Sequence, residues 1–136
     1  MVFSAEAILA LRRLGLVEAN LQALASGKPV AFNLAGAAEG TICIARLPTK
    51  DRLQMRIYTI MNVGGGLADF MSFDSQARAT AKALGVKEVE LLGIEVNNPK
   101  LRAVLQRGGF TPTTLEVPDE LGGGTFEALS RVELVE

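Results

Sequence analysis

The chain has 136 residues, 49% hydrophobic and 21% charged, and its fourteen Lys and Arg against fifteen Asp and Glu give a net charge of −1. That length supports a real core in a single domain, 1–136, while the charge balance supplies no basic field for nucleic acid. With no histidine, no tryptophan and one cysteine, histidine-based triads, the usual zinc sites and an internal disulfide are excluded.

No apolar run reaches the roughly 20 residues of a membrane span. Met1 to Gly15 lacks the basic start of a signal peptide, and its Arg12-Arg13 pair falls within a helical pattern, so a cytoplasmic protein is expected. The apolar excess implies either a well-filled core or a buried oligomer or assembly surface.

Ser4 is placed to cap a first helix, with Glu6 in its first turn and Ile8, Leu11 and Leu14 at helical spacing up to Gly15. A second helix, about Leu16 to Ala25, carries Val17, Leu21 and Leu24 on one face and stops at Ser26-Gly27. Val30 to Leu34 reads as a short strand, Gly36 to Gly40 as a turn, and Thr41 to Leu47 as a second strand. Cys43 lies in that apolar strand and is expected as a core residue in a reducing compartment. Pro48 to Asp51 closes a hairpin into a long strand, Arg52 to Val63. Leu53, Met55, Ile57, Thr59, Met61 and Val63 face one way, and Gln54, Arg56, Tyr58 and Asn62 the other. Antiparallel meanders with one packed face alternate in this way.

Gly64, Gly65 and Gly66 then open an amphipathic helix from about Leu67 to Leu84, ended by Gly85. Val86 to Val96 is apolar on both faces over its second half, as a central strand is. Asn97-Asn98-Pro99 leads into a helix, Leu101 to Arg107, that closes on Gly108-Gly109-Phe110. Two last strands, Thr113 to Val117 and Phe126 to Val135, flank Pro118-Asp119 and Gly122 to Gly124. The order is α-α-β-β-β-α-β-α-β-β, an α/β (α+β) chain with a mixed central sheet flanked by helices. Strands joined through a helix favour a parallel crossover, and a glycine loop opening a helix makes an anion site. The loop does not fit a dinucleotide fingerprint, because the spacing is absent and Glu88 and Glu90 arrive too late. An unrelated α/β ligand-binding domain is a further reading.

This succession, with its glycine loop and closing Gly-Phe, resembles the GCN5-related N-acetyltransferase family over most of the chain, most closely from Arg52 to Phe110. The family's first strand has no full counterpart here: either it is lost, or Met1 to Phe3 is a vestige of it. In that family the loop after a strand holds the coenzyme A pyrophosphate on backbone N–H groups. The resemblance therefore implies an acetyl-CoA (or other acyl-CoA) site formed by Val63, Gly64, Gly65, Gly66, Leu67 and Ala68. Gly66 falls on the motif's first glycine and Ala68 on its last small position; Val63 replaces the basic or amide residue that opens it. Asn98 matches the asparagine that hydrogen-bonds the pantetheine arm, and Gly109-Phe110 match the family's ending. Leu105 stands where a tyrosine commonly protonates the departing thiolate. Glu95, near the end of the central strand, and Tyr58 are the candidate catalytic residues, with Glu39 a further candidate base.

Two functions follow. The first is an acyltransferase that uses acetyl-CoA to acetylate a small-molecule or protein amine. The second is a catalytically inactive module of that fold, binding protein within a homo-oligomer or a larger particle such as a phage virion. Val63, Leu105 and the missing strand point to the second.

Overall fold

The capping pattern at the start of the chain is met. In the computed structural model, helix α1 (Ala5–Leu14) begins at Ser4, whose Oγ accepts the Ala7 amide at 3.1 Å, with Glu6 in the first turn. Gly15 ends it at φ +128°, so that its amide reaches back to the Leu11 and Arg12 carbonyls. The structure describes residues 2–36, 42–57, 66–94, 99–116, 119 and 122–135, with the side chains of 66–69, 94 and 126 outside that description.

Helix α2 (Glu18–Ala25) is entered through the Val17 amide, which donates to Asn20 Oδ1 at 3.1 Å. Strands β1 (Val30–Asn33), β2 (Ile42–Thr49) and β3 (Arg52–Ile57) form an antiparallel meander. Helix α3 (Gly66–Leu84) then crosses to β4 (Glu88–Ile94), which lies parallel to β3. Helix α4 (Pro99–Arg107) precedes β5 (Thr111–Glu116) and β6 (Thr125–Leu134), with β6 inserted between β4 and β5 and antiparallel to both. The sheet order is β1-β2-β3-β4-β6-β5, and the element order is the one read from the sequence.

Three of the boundaries that differ from the sequence reading fall at prolines. Strand β2 runs on through Pro48 to Thr49, across a register shift between Arg46 and Thr49. Pairing with β1 stops at Ala45, so the proline's missing N–H deprives no partner. Helix α4 starts at Pro99 rather than Leu101, because proline suits a first helical turn whose N–H is unpaired anyway. Strand β5 starts at Thr111 and includes Pro112, tolerated on an edge strand.

Residues paired across a ladder share a face. Phe32, Cys43, Met55, Leu91 and Leu129 therefore lie on one face, and buried residues from each of the four helices join the same core cluster. Phe73 of α3 is fully buried at its centre. The opposite face holds only a small separate cluster of Leu92 and Ala128, with Leu115 beside it, among the described residues. No described helix is long and apolar enough to cross a membrane.

Cys43 is fully buried, and loss of water pushes its thiol up to about 12. The unfolded chain releases that proton near the ordinary value of 9.0, whereas the folded chain keeps it. Stability from this residue is thus complete below pH 9 and falls as pH rises toward 12, by at most about 1.4 kcal/mol per pH unit. Urea unfolding at pH 8 and pH 10.5 checks this. The loss between the two should be smaller in Cys43→Ala than in the wild type, and equal losses would show that the thiol carries no such linkage.

Candidate active site

Strands β3 and β4 are the parallel pair, so their carboxyl ends lie side by side on one edge of the sheet. Open α/β sheets gather ligands at that edge. From there the chain reaches the first turn of α3 at Gly66 and, after β4, the first turn of α4 at Pro99. Helix α3 is 19 residues long, and its first N–H groups have no intrahelical acceptors. With the aligned peptide dipoles behind them, these amides favour an anion. Gly66 occupies the first helical position, where the absence of Cβ leaves the backbone open, and Leu67 and Ala68 follow in the same turn. Tyr58, Val63, Gly64, Gly65, Glu95, Asn98 and Glu39 lie outside the described residues.

The closing Gly-Phe has a packing role. Gly109 stands at φ +94° after α4, and the Phe110 amide donates to the Leu105 carbonyl at 3.0 Å. The buried Phe110 ring meets Phe70 of α3 edge-on, with centroids 5.2 Å apart and planes at 77°. Leu105 is itself buried in this core, one turn after the equally buried Leu101. Its aliphatic character thus fits its surroundings, and it can donate no proton.

An ion-pair cluster that the sequence reading missed ties these helices to β6. Arg131 donates to both carboxylate oxygens of Asp74 on α3 (3.2 and 3.1 Å), to Glu133 (3.3 Å) and to the Gly108 carbonyl after α4 (2.9 Å). Its guanidinium carbon sits 4.5 Å from the Phe110 ring centre. Arg78 pairs with the same Asp74 at 2.9 Å and with Glu133 at 3.0 Å. The Asp74 hydrogen bond is the chief cause that raises its already high pKa. The available signal was the alternation of Leu129, Arg131 and Glu133 onto the helix-bearing face.

On the opposite face the polar side of β3 meets β4 in strict register. Arg52 Nε donates to Glu88 at 3.0 Å and Gln54 Nε2 to Glu90 at 2.7 Å. Arg56, the next residue on that face, stands across from Leu92. A separate cleft of about 430 Å³ lies between the C-terminal half of α3 and β6, lined in part by Arg78, Lys82 and Leu134. Val89, near the start of β4, also lines it, so it opens away from the carboxyl-end edge.

No protein-family model matches the sequence, and no curated protein matches it. Among solved structures, one described as a probable acetyltransferase is similar at 16% identity and a TM-score of 0.50, over 96% of this chain and 84% of that one. Ard1 from Thermoplasma volcanium is similar at 13% identity and a TM-score of 0.46, over 100% of this chain and 96% of its own. The six-stranded mixed sheet with four helices is therefore an acetyltransferase-like fold, as the resemblance in sequence implied.

Proposed function

We propose that the chain binds an acyl coenzyme A and transfers its acyl group to an amine. The observation that carries this reading is a long helix opened by Gly66 at the carboxyl ends of a parallel strand pair. When bound, the cofactor supplies an acyl group activated as a thioester. The amides of Gly66, Leu67 and Ala68 would hold the pyrophosphate, with Val63, Gly64 and Gly65 as the approach to that turn. Asn98 would orient the pantetheine arm. Glu95 would accept the proton of the attacking amine, and Tyr58 would border the acceptor. Leu105 cannot act as an acid, so the rate would come mainly from holding amine and acyl carbon together.

Calorimetric titration with acetyl-CoA tests the reading, using Gly66→Glu as control. Micromolar binding is expected in the wild type. The added carboxylate and side-chain bulk at the helix start should weaken it by about 100-fold, or about 2.7 kcal/mol. Circular dichroism checks that the variant is folded. No binding by folded wild-type protein at millimolar ligand would overturn the proposal.

A second reading has its own support. Leu105 is buried, and no Lys or Arg lies between Arg56 and Arg78 to assist a phosphate at the loop. These features fit an acetyltransferase-like module without chemistry, serving an oligomer or larger assembly. The same titration separates the two.

A further inference from the structure

We infer that Arg56 is a carboxylate-binding residue, and that the acceptor it selects is an amine that also carries a carboxylate. The second half of this inference rests on the acyl-transfer reading; the first does not.

Strand β3 presents Arg52, Gln54 and Arg56 on the helix-free face. The first two each have a β4 carboxylate directly across, Glu88 and Glu90. The series then breaks, because Arg56 faces Leu92 on β4 and Ile44 on β2. Among the described residues the Arg56 side chain has no hydrogen-bond or ion-pair partner, and its Nε is buried without an acceptor. Arg46, on the diagonal, is turned to the Gly27 carbonyl at 3.3 Å.

A buried guanidinium N–H without an acceptor is costly, because the Arg56 Nε gives up water and receives nothing in exchange. Its neighbours two and four residues back avoid that cost within the fold. Arg56 lies at the carboxyl-end side of β3, one residue before the strand ends at Ile57, where a ligand of this sheet is expected. A ligand can therefore supply the acceptor that the sequence withholds at position 92. One planar guanidinium matches one carboxylate through two parallel N–H···O bonds. Among the described residues no further cation without a hydrogen-bond partner adjoins it in the register to favour a phosphate.

Protein labelled with ¹⁵N-arginine, titrated with L-alanine, L-glutamate, L-alaninamide and inorganic phosphate, provides the test. The Arg56 Nε signal is identified by its loss in Arg56→Lys, a charge-conserving change, and the remaining spectrum reports folding. Saturable movement with the two amino acids, at least about tenfold weaker with the amide, is expected. No movement, equal movement with L-alaninamide, or movement with phosphate alone would overturn the proposal. Because the readout needs no turnover, it is independent of the acetyl-CoA titration. If acetyl-CoA binds and transfer occurs, Arg56→Gln should raise KM for the amino acids about tenfold or more while sparing kcat and the KM of the amide. Equal losses on acid and amide would limit Arg56 to a structural role.

Discussion

Gly15→Ala should lose about 3 kcal/mol of stability, with a fall in Tm of about 10 °C for a chain of this size. Two causes act together. At φ +128° an L-residue is strained wherever it is placed. In addition, a Cβ at this position would stand 2.3 Å from the Asn33 carbonyl oxygen and 3.3 Å from the Phe32 ring. The carbonyl cannot easily move away. Asn33 pairs with Ile42 in the β1–β2 ladder, and two residues on the Ala35 amide donates to the Leu14 carbonyl at 3.0 Å. The end of α1 is thus held against the end of β1 with no space between the two backbones. Gly85→Ala is the comparison: φ is +74° there, but nothing lies within 4 Å of the added carbon, so only about 1 kcal/mol should be lost. Urea unfolding of both variants checks the pair. Equal losses would mean that the contact with Asn33 contributes nothing.

The contrast between these glycines also marks what the sequence discloses. Either glycine reads as a helix stop, and both are. Only the fold shows that one of them lies against a neighbouring strand. Local signals set the element order: Ser4 caps α1, Leu53, Met55 and Ile57 alternate onto the buried face, and Gly66 opens α3. The boundary errors at Pro48, Pro99 and Thr111 have one origin. Proline looks like punctuation, yet it is compatible with a strand beyond its partner's reach, a first helical turn and a sheet edge.

The candidate site was legible where it depends on helix geometry and illegible where it depends on register. Gly66, Leu67 and Ala68 occupy the first turn of α3, as the glycine pattern implied. Tyr58, Val63, Gly64, Gly65, Glu95 and Asn98 lie outside the described residues. Arg56 was recognisable as a polar-face residue of β3. Its missing partner was not, because that follows from which β4 residue falls opposite, and a shift of one residue would have changed it.

Arg131→Met is expected to cost about 3 kcal/mol, whereas Arg78→Met, at the same carboxylates, should cost less than about 1 kcal/mol. The difference follows from burial and from what each guanidinium holds. The Arg131 side chain is only 19% exposed and joins Asp74 of α3, Glu133 of β6 and the Gly108 carbonyl after α4, above the Phe110 ring. Methionine fills much of the volume but bonds to none of those oxygens: Asp74 and Glu133 are left with the exposed Arg78 alone, and the Gly108 carbonyl loses its side-chain donor. Arg78 is 52% exposed and reaches only Asp74 and Glu133, both of which keep Arg131 when it is removed. Water also screens the Arg78 pairs, so 0.5 M salt should erase most of its effect and little of that of Arg131. Urea unfolding of the two variants at low and high salt checks the ranking, and equal losses would contradict it. Arg131 further fixes α3 relative to the end of α4, and these helices start beside the two parallel strands. If acyl coenzyme A sits at that edge, Arg131→Met should weaken its binding under conditions where the variant is still folded. Arg78→Met should leave binding near the wild-type value.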